Sequence, residues 1–498
     1  MRWFSPPALL AICWGLTFAC AGLTLLLPGY FDLLPVFLSR VALDPSGFTW
    51  MGGVWLATAM LSLMAGDLAA RENRRAHSSS FNAHYCRFLH VTSETAKSPP
   101  FPLPAAGHSC AINRATMFPQ IDPRSDSYHC VFTPAPRASA TPKHQTKLNL
   151  TTAARNTARL NGIFLSITLI WVLHTAGQNG GLPNLVALAT HDALAARDLL
   201  LDNKLFTGMR LLYAALPATG SLAAAILSAG GRALPRRARR RCQTILILNT
   251  LALFLLPIVM SQRLLLLQFV LSSYIVTCLI RRRIVGRRWL LTGTVTFLSV
   301  WTLRESLTNP QFQHTALELA LQKLAFYFVN DLWNSFAPLQ ADTPATLGAH
   351  TLQGVAILTF TDGVLEPLLA PRIATSDLVR GGGEFSLLTA PYVDFGLLGG
   401  ALFLFGAGYV FRRLFQNART SFLGAALYAQ VGAALLFSSH GLYITHQNCL
   451  FSLVVIAVLC RKSSVIVQTE FARLPVETPA PRLSLPAMPT KDRGYAQA

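Results

Sequence analysis

The strongest constraint on the fold of this chain is a series of long apolar segments separated by short polar links. A helix needs about 20 apolar residues to cross the hydrocarbon core of a bilayer, and fewer where charged ends reach the interface. With 52% hydrophobic and 13% charged residues, the chain is too apolar for an ordinary soluble domain. We therefore predict an all-α, polytopic transmembrane helix bundle of about ten spans. The spans lie near residues 8–27, 47–66, 161–177, 208–229, 242–260, 264–280, 289–303, 391–411, 421–437 and 447–460.

Three links between these segments are rich in arginine and contain no acidic residue, which is typical of cytoplasmic loops. They are Arg232–Arg241, Arg281–Arg288 and Arg412–Arg419. If they lie inside, ten spans place both termini in the cytoplasm. The inner segments then hold 33 basic and 8 acidic residues, against 9 and 14 outside. This sorting explains the net charge of +20, and we expect no nucleic-acid partner because no basic face is interleaved with aromatic residues.

The same topology divides the chain into four segments. Residues 1–66 hold two N-terminal spans, and residues 160–462 form the main membrane core. Residues 67–159 form an inner loop rich in Ser, Pro, His and Thr, which has too little apolar surface to offset the entropy of ordering. We predict that this loop and the Pro-rich tail at 463–498 are disordered in the cytoplasm.

Sequence motifs for metals and soluble cofactors are absent. The histidines and cysteines of the inner loop include no C-x-x-C pair, and the chain has no P-loop, no nucleotide-binding glycine fingerprint and no H-E-x-x-H. We therefore predict no metal and no cofactor. Any reaction is expected on the outer face, with a lipid-carried substrate.

The largest predicted extracytoplasmic loop covers residues 304–390. Within it, His314–Phe336 carries apolar residues at helical spacing, interleaved with Gln and Lys. We predict an amphipathic helix that lies on the bilayer or on the helix bundle. A long and partly apolar outer loop is a plausible lid over a membrane-facing site.

Three charged residues at the outer ends of spans are candidate catalytic groups. The short turn containing Arg263 fixes a guanidinium at the outer surface, where it suits bidentate contact with phosphate, although a lipid-bound interfacial arginine fits equally well. Arg304 and Glu305 follow the seventh span. They are either a second phosphate clamp and a base, or neighbours that neutralise each other at a helix end.

Asp394 and His440 are further candidates. Asp394 stands where the eighth apolar segment begins, so partial desolvation would strengthen it as a base. The alternative is a carboxylate that faces a helix dipole. His440 and His446 flank the last outer turn, where histidine shuttles a proton or, as we favour, hydrogen-bonds within the loop.

Four elements occur in order between Ser261 and Lys462. They are the Ser261-Gln262-Arg263 turn, the Phe326-Tyr327…Asn330…Asn334 helix, the glycine-containing outer loop and Tyr392-Val-Asp394-Phe-Gly396-Leu-Leu-Gly399. This arrangement resembles the oligosaccharide repeat-unit polymerases, the Wzy-type enzymes of bacterial surface polysaccharide assembly. Its departures from that pattern are Glu384, where many members carry Asn, and the inner insertion at 67–159.

The resemblance implies a membrane glycosyltransferase that uses no nucleotide sugar. It would transfer a growing glycan from polyprenyl diphosphate onto a new lipid-linked repeat unit, to make O-antigen, capsule or exopolysaccharide. Arg263 and Arg304 would stabilise the diphosphate leaving group. Asp394 would be the first candidate for the base, with Glu305 and His440 behind it.

The resemblance also assigns the remaining candidates and partners. Asn330, Asn334, Tyr392 and His440 would contact sugar hydroxyls, and the apolar helices would hold the lipid tails among membrane lipids. A chain-length regulator and a flippase are compatible further partners. An O-antigen ligase-like transferase, and a transporter or flippase of lipid-linked glycans, remain the alternatives.

Overall fold

The helices of the protein are seen in a computed structural model, and part of the chain lies outside the residues that it describes. The turn containing Arg263, the centre of the inner loop and the C-terminal tail all fall in that part, so the predictions made for them are not addressed. The structure describes residues 2–26, 48–95, 143–191, 193–206, 208–260, 264–308, 315–339, 345–364, 367, 379 and 384–460.

Within those ranges the fold is helical and contains no strand. The chain begins with a 3-10 turn at Arg2–Phe4. The α-helices that follow are α1 (Pro6–Leu26), α2 (Trp50–Thr95), α3 (Lys143–Gln178), α4 (Leu182–His191), α5 (Ala193–Asp202), α6 (Met209–Ala214), α7 (Leu216–Gly230), α8 (Arg236–Met260), α9 (Leu264–Arg281), α10 (Arg287–Thr308), α11 (Ala316–Phe336), α12 (Ala349–Leu358), α13 (Ala390–Ala418), α14 (Phe422–Leu435) and α15 (Gln447–Cys460).

Several of these helices have the length and apolar composition of membrane spans. Among the described residues, five apolar segments of 18 residues or more qualify, and a further five apolar helices are shorter. This set is compatible with a membrane protein, whereas the count of about ten spans stays a prediction. The five longer segments are Trp50–Arg74, Leu150–Gln178, Met209–Ala233, Leu264–Arg281 and Ala390–Ala418.

The inner loop predicted at 67–159 is shorter in the structure. Helix α2 continues to Thr95, and α3 begins at Lys143. Both ends of the predicted loop are therefore helical rather than irregular, because each apolar span provides a formed helix onto which further turns add at little cost. Residues 96–142 lie outside the described part of the chain.

The two helices α2 and α13 pack closely through glycine. A Cβ atom placed on Gly66 would clash with the backbone carbonyl of Phe405, and one placed on Gly408 would clash with that of Leu63. Small residues that let backbones touch are the usual basis of helix packing in membranes. The contact fixes α13, which leads directly out of the candidate site described below.

Buried hydrogen bonds fix the middle of the bundle. The Thr219 hydroxyl of α7 donates to Asn161 Oδ1 of α3 at 2.5 Å and accepts from the Asn249 amide of α8 at 3.1 Å. On the other side of α7, the Gln430 amide of α14 donates to the Ser221 hydroxyl at 2.7 Å. Pairs of this kind are strongly favoured where water is excluded, because an unpaired polar group there is costly. They hold α7, and with it the short α6 that precedes it.

Alanine substitution at two glycines of α13 tests the close packing. Gly408→Ala places a methyl against the Leu63 carbonyl and should lower the free energy of unfolding by about 1–3 kcal/mol. Gly406→Ala, with nothing within 4 Å of the added atom, should be neutral or slightly stabilising because alanine favours helix. Thermal unfolding of the detergent-purified protein measures both. Equal unfolding temperatures in the two variants would contradict the close packing of α2 against α13.

Candidate functional site

The predicted catalytic residues are only partly visible. Arg263 lies outside the described residues. Arg304 and Glu305 lie in the last two turns of α10, where the backbone is described and the side chains are not. Their assigned roles therefore stay predictions.

Asp394 is fully buried at the start of α13, and its carboxylate binds the N-terminus of another helix. Oδ1 accepts from the Thr346 hydroxyl at 2.6 Å and from the backbone N–H of His350 at 3.0 Å. Oδ2 accepts from the backbone N–H of Thr351 at 2.8 Å. Since the first N–H groups of a helix lack partners within it, the carboxylate supplies the missing acceptors and faces the positive end of the α12 dipole. This geometry favours the interpretation of Asp394 as a carboxylate that faces a helix dipole over its interpretation as a base. The dipole is that of α12, whereas Asp394 itself belongs to α13.

Glycines on both sides make this cap possible. Gly348 precedes α12 with φ 95°, and Gly396 interrupts α13 with φ 68°. Both values are readily adopted only by glycine. The break at Gly396 falls two residues after Asp394, at the point where α13 begins its long apolar run.

Helix α12 transmits this anchoring to the neighbouring loop. A Cβ atom on Gly354 would clash with the backbone carbonyl of Thr445, so the helix lies directly against the loop between α14 and α15. At its N-terminal end, the ring of His350 packs against Phe385 with centroids 4.9 Å apart. Asp394 thereby positions residues on either side of the site without reaching it.

The clearest polar pair of the site joins α11 to that loop. His440 Nδ1 lies 2.6 Å from Asp331 Oδ1. Asp331 is buried, and it shares a face of α11 with Tyr327, one turn earlier, and Asn334, one turn later. The predicted sugar contacts Asn330 and Asn334 therefore sit on the helix that brings a carboxylate to His440, and both are fully buried there.

The pair changes the proton affinity of the histidine. Burial on its own lowers the pKa of His440, but the charge and hydrogen bond of Asp331, together with the charge of Glu384, outweigh it and raise the pKa above the ordinary value. The imidazole is thus stabilised in its protonated form. With Nδ1 engaged by Asp331, Nε2 is the nitrogen left to face a ligand.

Two tyrosines enclose His440. The ring of Tyr443 is stacked on it at 6.0 Å with an interplanar angle of 11°, and Tyr327 meets it edge-on at 5.8 Å. Burial, followed by the charges of Glu384 and Asp331, raises the pKa of Tyr443 well above its ordinary value. Tyr443 therefore stays neutral and acts as a wall of the site that can donate a hydrogen bond.

Glu384 reaches this group from the segment that precedes α13. It lies over Gly441, where an added Cβ atom would come within 2.9 Å of Glu384 Oε2. Three bonds fix the two segments involved. The Leu387 N–H donates to the Ser438 carbonyl at 2.8 Å, the Trp55 indole donates to the Leu388 carbonyl at 3.0 Å, and the Trp14 indole donates to the Ser438 hydroxyl at 3.1 Å.

Two arginines complete the site. Arg210, at the start of α6, lies within electrostatic reach of both Arg197 on α5 and the oppositely charged Glu384. Both guanidinium groups are partly buried, and Arg197 Nε has no hydrogen-bond partner in the part of the chain that the structure describes. Two like charges held together in a partly buried position suit an anionic ligand with several oxygens.

Tyr392 lies apart from this cluster. Its ring packs against Trp55 of α2 with centroids 5.0 Å apart, and it is half-buried in the first turn of α13. Of the predicted sugar-contacting residues, Asn330, Asn334 and His440 are brought to the α11 side of the site, whereas Tyr392 contributes to the contact between α2 and α13.

The sequence prediction missed Asp331, Arg197, Arg210, Glu384 as a site residue and Tyr443. Arg210 gave the best signal, since a charged residue inside an apolar segment is costly and usually functional. Asp331 adjoins the apolar stripe of the predicted amphipathic helix, and the sequence pattern does not single it out. No group of three His, Cys, Asp or Glu residues suited to a metal occurs among the residues searched.

Comparison with known proteins gives no further guide. No family model, no curated protein and no solved structure matches this chain.

Replacing the buried carboxylate separates the two interpretations of Asp394. Asp394→Asn turns an amide N–H toward backbone donors and removes the charge that faces α12, so we expect a loss of about 1–3 kcal/mol in the free energy of unfolding. The exposed Asp198→Asn change is the matched control and should be neutral. Thermal unfolding measures both variants. An unchanged unfolding temperature for Asp394→Asn would favour the interpretation of Asp394 as a base.

The Asp331–His440 pair should make stability depend on pH. Because the folded-state pKa of His440 is raised, its contribution is fully present below the unfolded value of about 6.5 and is lost as the pH rises through the folded value. Asp331→Asn should remove this component, whereas His174→Gln, at an exposed position, should keep it. Unfolding temperatures across pH 5–9 (roughly the range in which histidine titrates) measure the difference. If the unfolding temperature of Asp331→Asn changed with pH in parallel with that of the unaltered protein, a stabilising Asp331–His440 pair would be contradicted.

Proposed function

We propose that this protein is a membrane glycosyltransferase that polymerises polyprenyl-diphosphate-linked oligosaccharide repeat units on the outer face of the bacterial cytoplasmic membrane. The proposal includes about ten spans, with both termini in the cytoplasm. The observation that carries it is the position of Arg210 within electrostatic reach of both Arg197 and Glu384, with the paired His440 also within electrostatic reach of that carboxylate.

The two arginines suit the donor. Glycosyl transfer from a lipid diphosphate releases a group that is already acidic, so the departing oxygens need positive charge more than they need a proton. Two guanidinium groups offer planar, bidentate contacts to a diphosphate at a fixed spacing. Arg197 and Arg210 take over the role first given to Arg263 and Arg304, which remain candidates for a wider phosphate site.

The remaining groups suit the sugar and the lipid. His440, whose protonated form is favoured by Asp331, adds positive charge near the diphosphate or hydrogen-bonds a sugar hydroxyl through Nε2. Tyr443 and Tyr327 offer flat aromatic surfaces of the kind that saccharide rings pack against. Exposed leucines along α13, such as Leu397 and Leu398, provide an apolar surface for polyprenyl tails.

The resemblance stated from the sequence and the charge cluster support the same chemistry by separate routes. The sequence motifs concern residues 261–462, while Arg197 and Arg210 lie before that stretch. A ligase-like transferase would use the same donor with a different acceptor, and a flippase would form no bond. The products of one assay distinguish the three.

That assay uses the purified full chain in lipid nanodiscs, supplied with a polyprenyl-diphosphate-linked oligosaccharide. We expect a ladder of longer lipid-linked glycans, and the variants Arg197→Gln and Arg210→Gln should each lower the rate by about 10²–10³-fold. Arg236→Gln, an exposed arginine of an inner link, is the matched control and should keep the wild-type rate. Transbilayer movement of the substrate with no new glycosidic bond would overturn the proposal in favour of transport.

A further inference from the structure

The carboxylates at and near the site differ in how they are engaged within the described residues. Asp331 is engaged by His440, and both oxygens of Asp394 are taken up by the N-terminus of α12. Glu384, by contrast, makes no hydrogen bond or ion pair with any part of the chain that the structure describes. It is also half-buried, so its oxygens remain accessible to a ligand.

The surroundings nevertheless hold Glu384 in place. Its segment is tied to the loop that carries His440 through the Leu387–Ser438 backbone bond. Below it, Gly441 leaves the space that the carboxylate occupies, since a side chain there would come within 2.9 Å of Oε2. Arg210, His440 and Tyr443 all lie within electrostatic reach of its carboxylate.

We infer that Glu384 is the catalytic base of the transfer step and takes the proton of the acceptor sugar hydroxyl. The inference rests on the proposed function and deepens it. In the step, the acceptor oxygen forms a bond to the anomeric carbon of the donor glycan while the bond from that carbon to the diphosphate oxygen breaks. The electron pair leaves with the polyprenyl diphosphate beside Arg197 and Arg210, and the hydroxyl proton moves to Glu384, from which it passes to solvent.

His440 is less suited to this task. Its Nδ1 is bound to Asp331, and the raised pKa favours the protonated ring, which makes His440 less available to accept a proton. Asp394 is fully buried and fully engaged. The division assigns positive charge to the leaving group and the uncommitted carboxylate to the nucleophile, which is the arrangement that a displacement at carbon requires.

Glu384→Gln is the first variant, because it keeps the shape and removes the basicity. We expect transfer to fall by about 10²–10⁴-fold, while binding of the polyprenyl-diphosphate donor in nanodiscs stays within about two-fold, as for a change of less than about 0.5 kcal/mol. Asp362→Asn, an exposed carboxylate of the same outer loop, is the matched control and should retain the wild-type rate. Glu384→Asp should recover part of the activity.

Two further measurements separate a base from a structural role. Azide is already anionic and needs no base, so it should restore release of polyprenyl diphosphate from the donor in Glu384→Gln with formation of a glycosyl azide. Gly441→Ala, which leaves Glu384 in the chain but displaces its carboxylate, should lower transfer in the same way and leave donor binding intact.

Each outcome decides the inference. Wild-type rates in Glu384→Gln would falsify it while leaving the polymerase proposal standing. Loss of donor binding together with transfer, or a loss that azide does not relieve, would assign Glu384 to binding or folding and overturn it as a base. If the unaltered protein forms no glycosidic bond in this assay, the proposed function fails first, and the base assignment falls with it.

Discussion

The contact between the Asp394 carboxylate and the first turn of α12 determines how the segments around the candidate site are arranged. Three donors converge on two fully buried oxygens, and a charge so deep in the protein is tolerable only because all of them are aimed at it. Through α12 the contact reaches Thr445 by way of Gly354, and Phe385 by way of His350. These two neighbours belong to the segments that carry His440 and Glu384. Positioning of the site is thus a matter of backbone capping rather than of side-chain packing alone.

Whether a buried polar group has all its hydrogen bonds satisfied distinguishes structural residues from functional ones. In the apolar middle of the bundle, Asn161, Thr219 and Asn249 satisfy one another across three helices. At the candidate site, Arg197 keeps an unpaired Nε and Glu384 keeps an open carboxylate within the described residues. Groups of this kind are costly to hold in a partly buried place, so spare hydrogen-bonding capacity is more informative about function than burial or charge taken singly.

The sequence predicted the elements well and their partners poorly, for a physical reason. Apolar segment length is a local property, so helices such as Leu264–Arg281 and Pro6–Leu26 follow from composition directly. The pairing of Asp331 with His440 joins positions 109 residues apart, and no periodicity records it. Asp394 was identified by its place at the start of a span. Its task depends on α12, whose approach is set by Gly348 and Gly354, and only the three-dimensional arrangement shows that.

Glu384 shows how such a departure from a pattern can be interpreted. In the resemblance drawn from the sequence, many members carry Asn at this position, and an amide can orient a hydroxyl but cannot take its proton. Placing a carboxylate there costs electrostatic free energy unless positive charge lies near, and Arg210 and the His440 ring, whose protonated form is favoured, both lie within electrostatic reach. Those same cations would be neutralised in part by a bound diphosphate. Donor binding would then weaken their hold on Glu384 and make it a stronger base only when there is a glycan to transfer, which couples the readiness of the nucleophile to the presence of the leaving group.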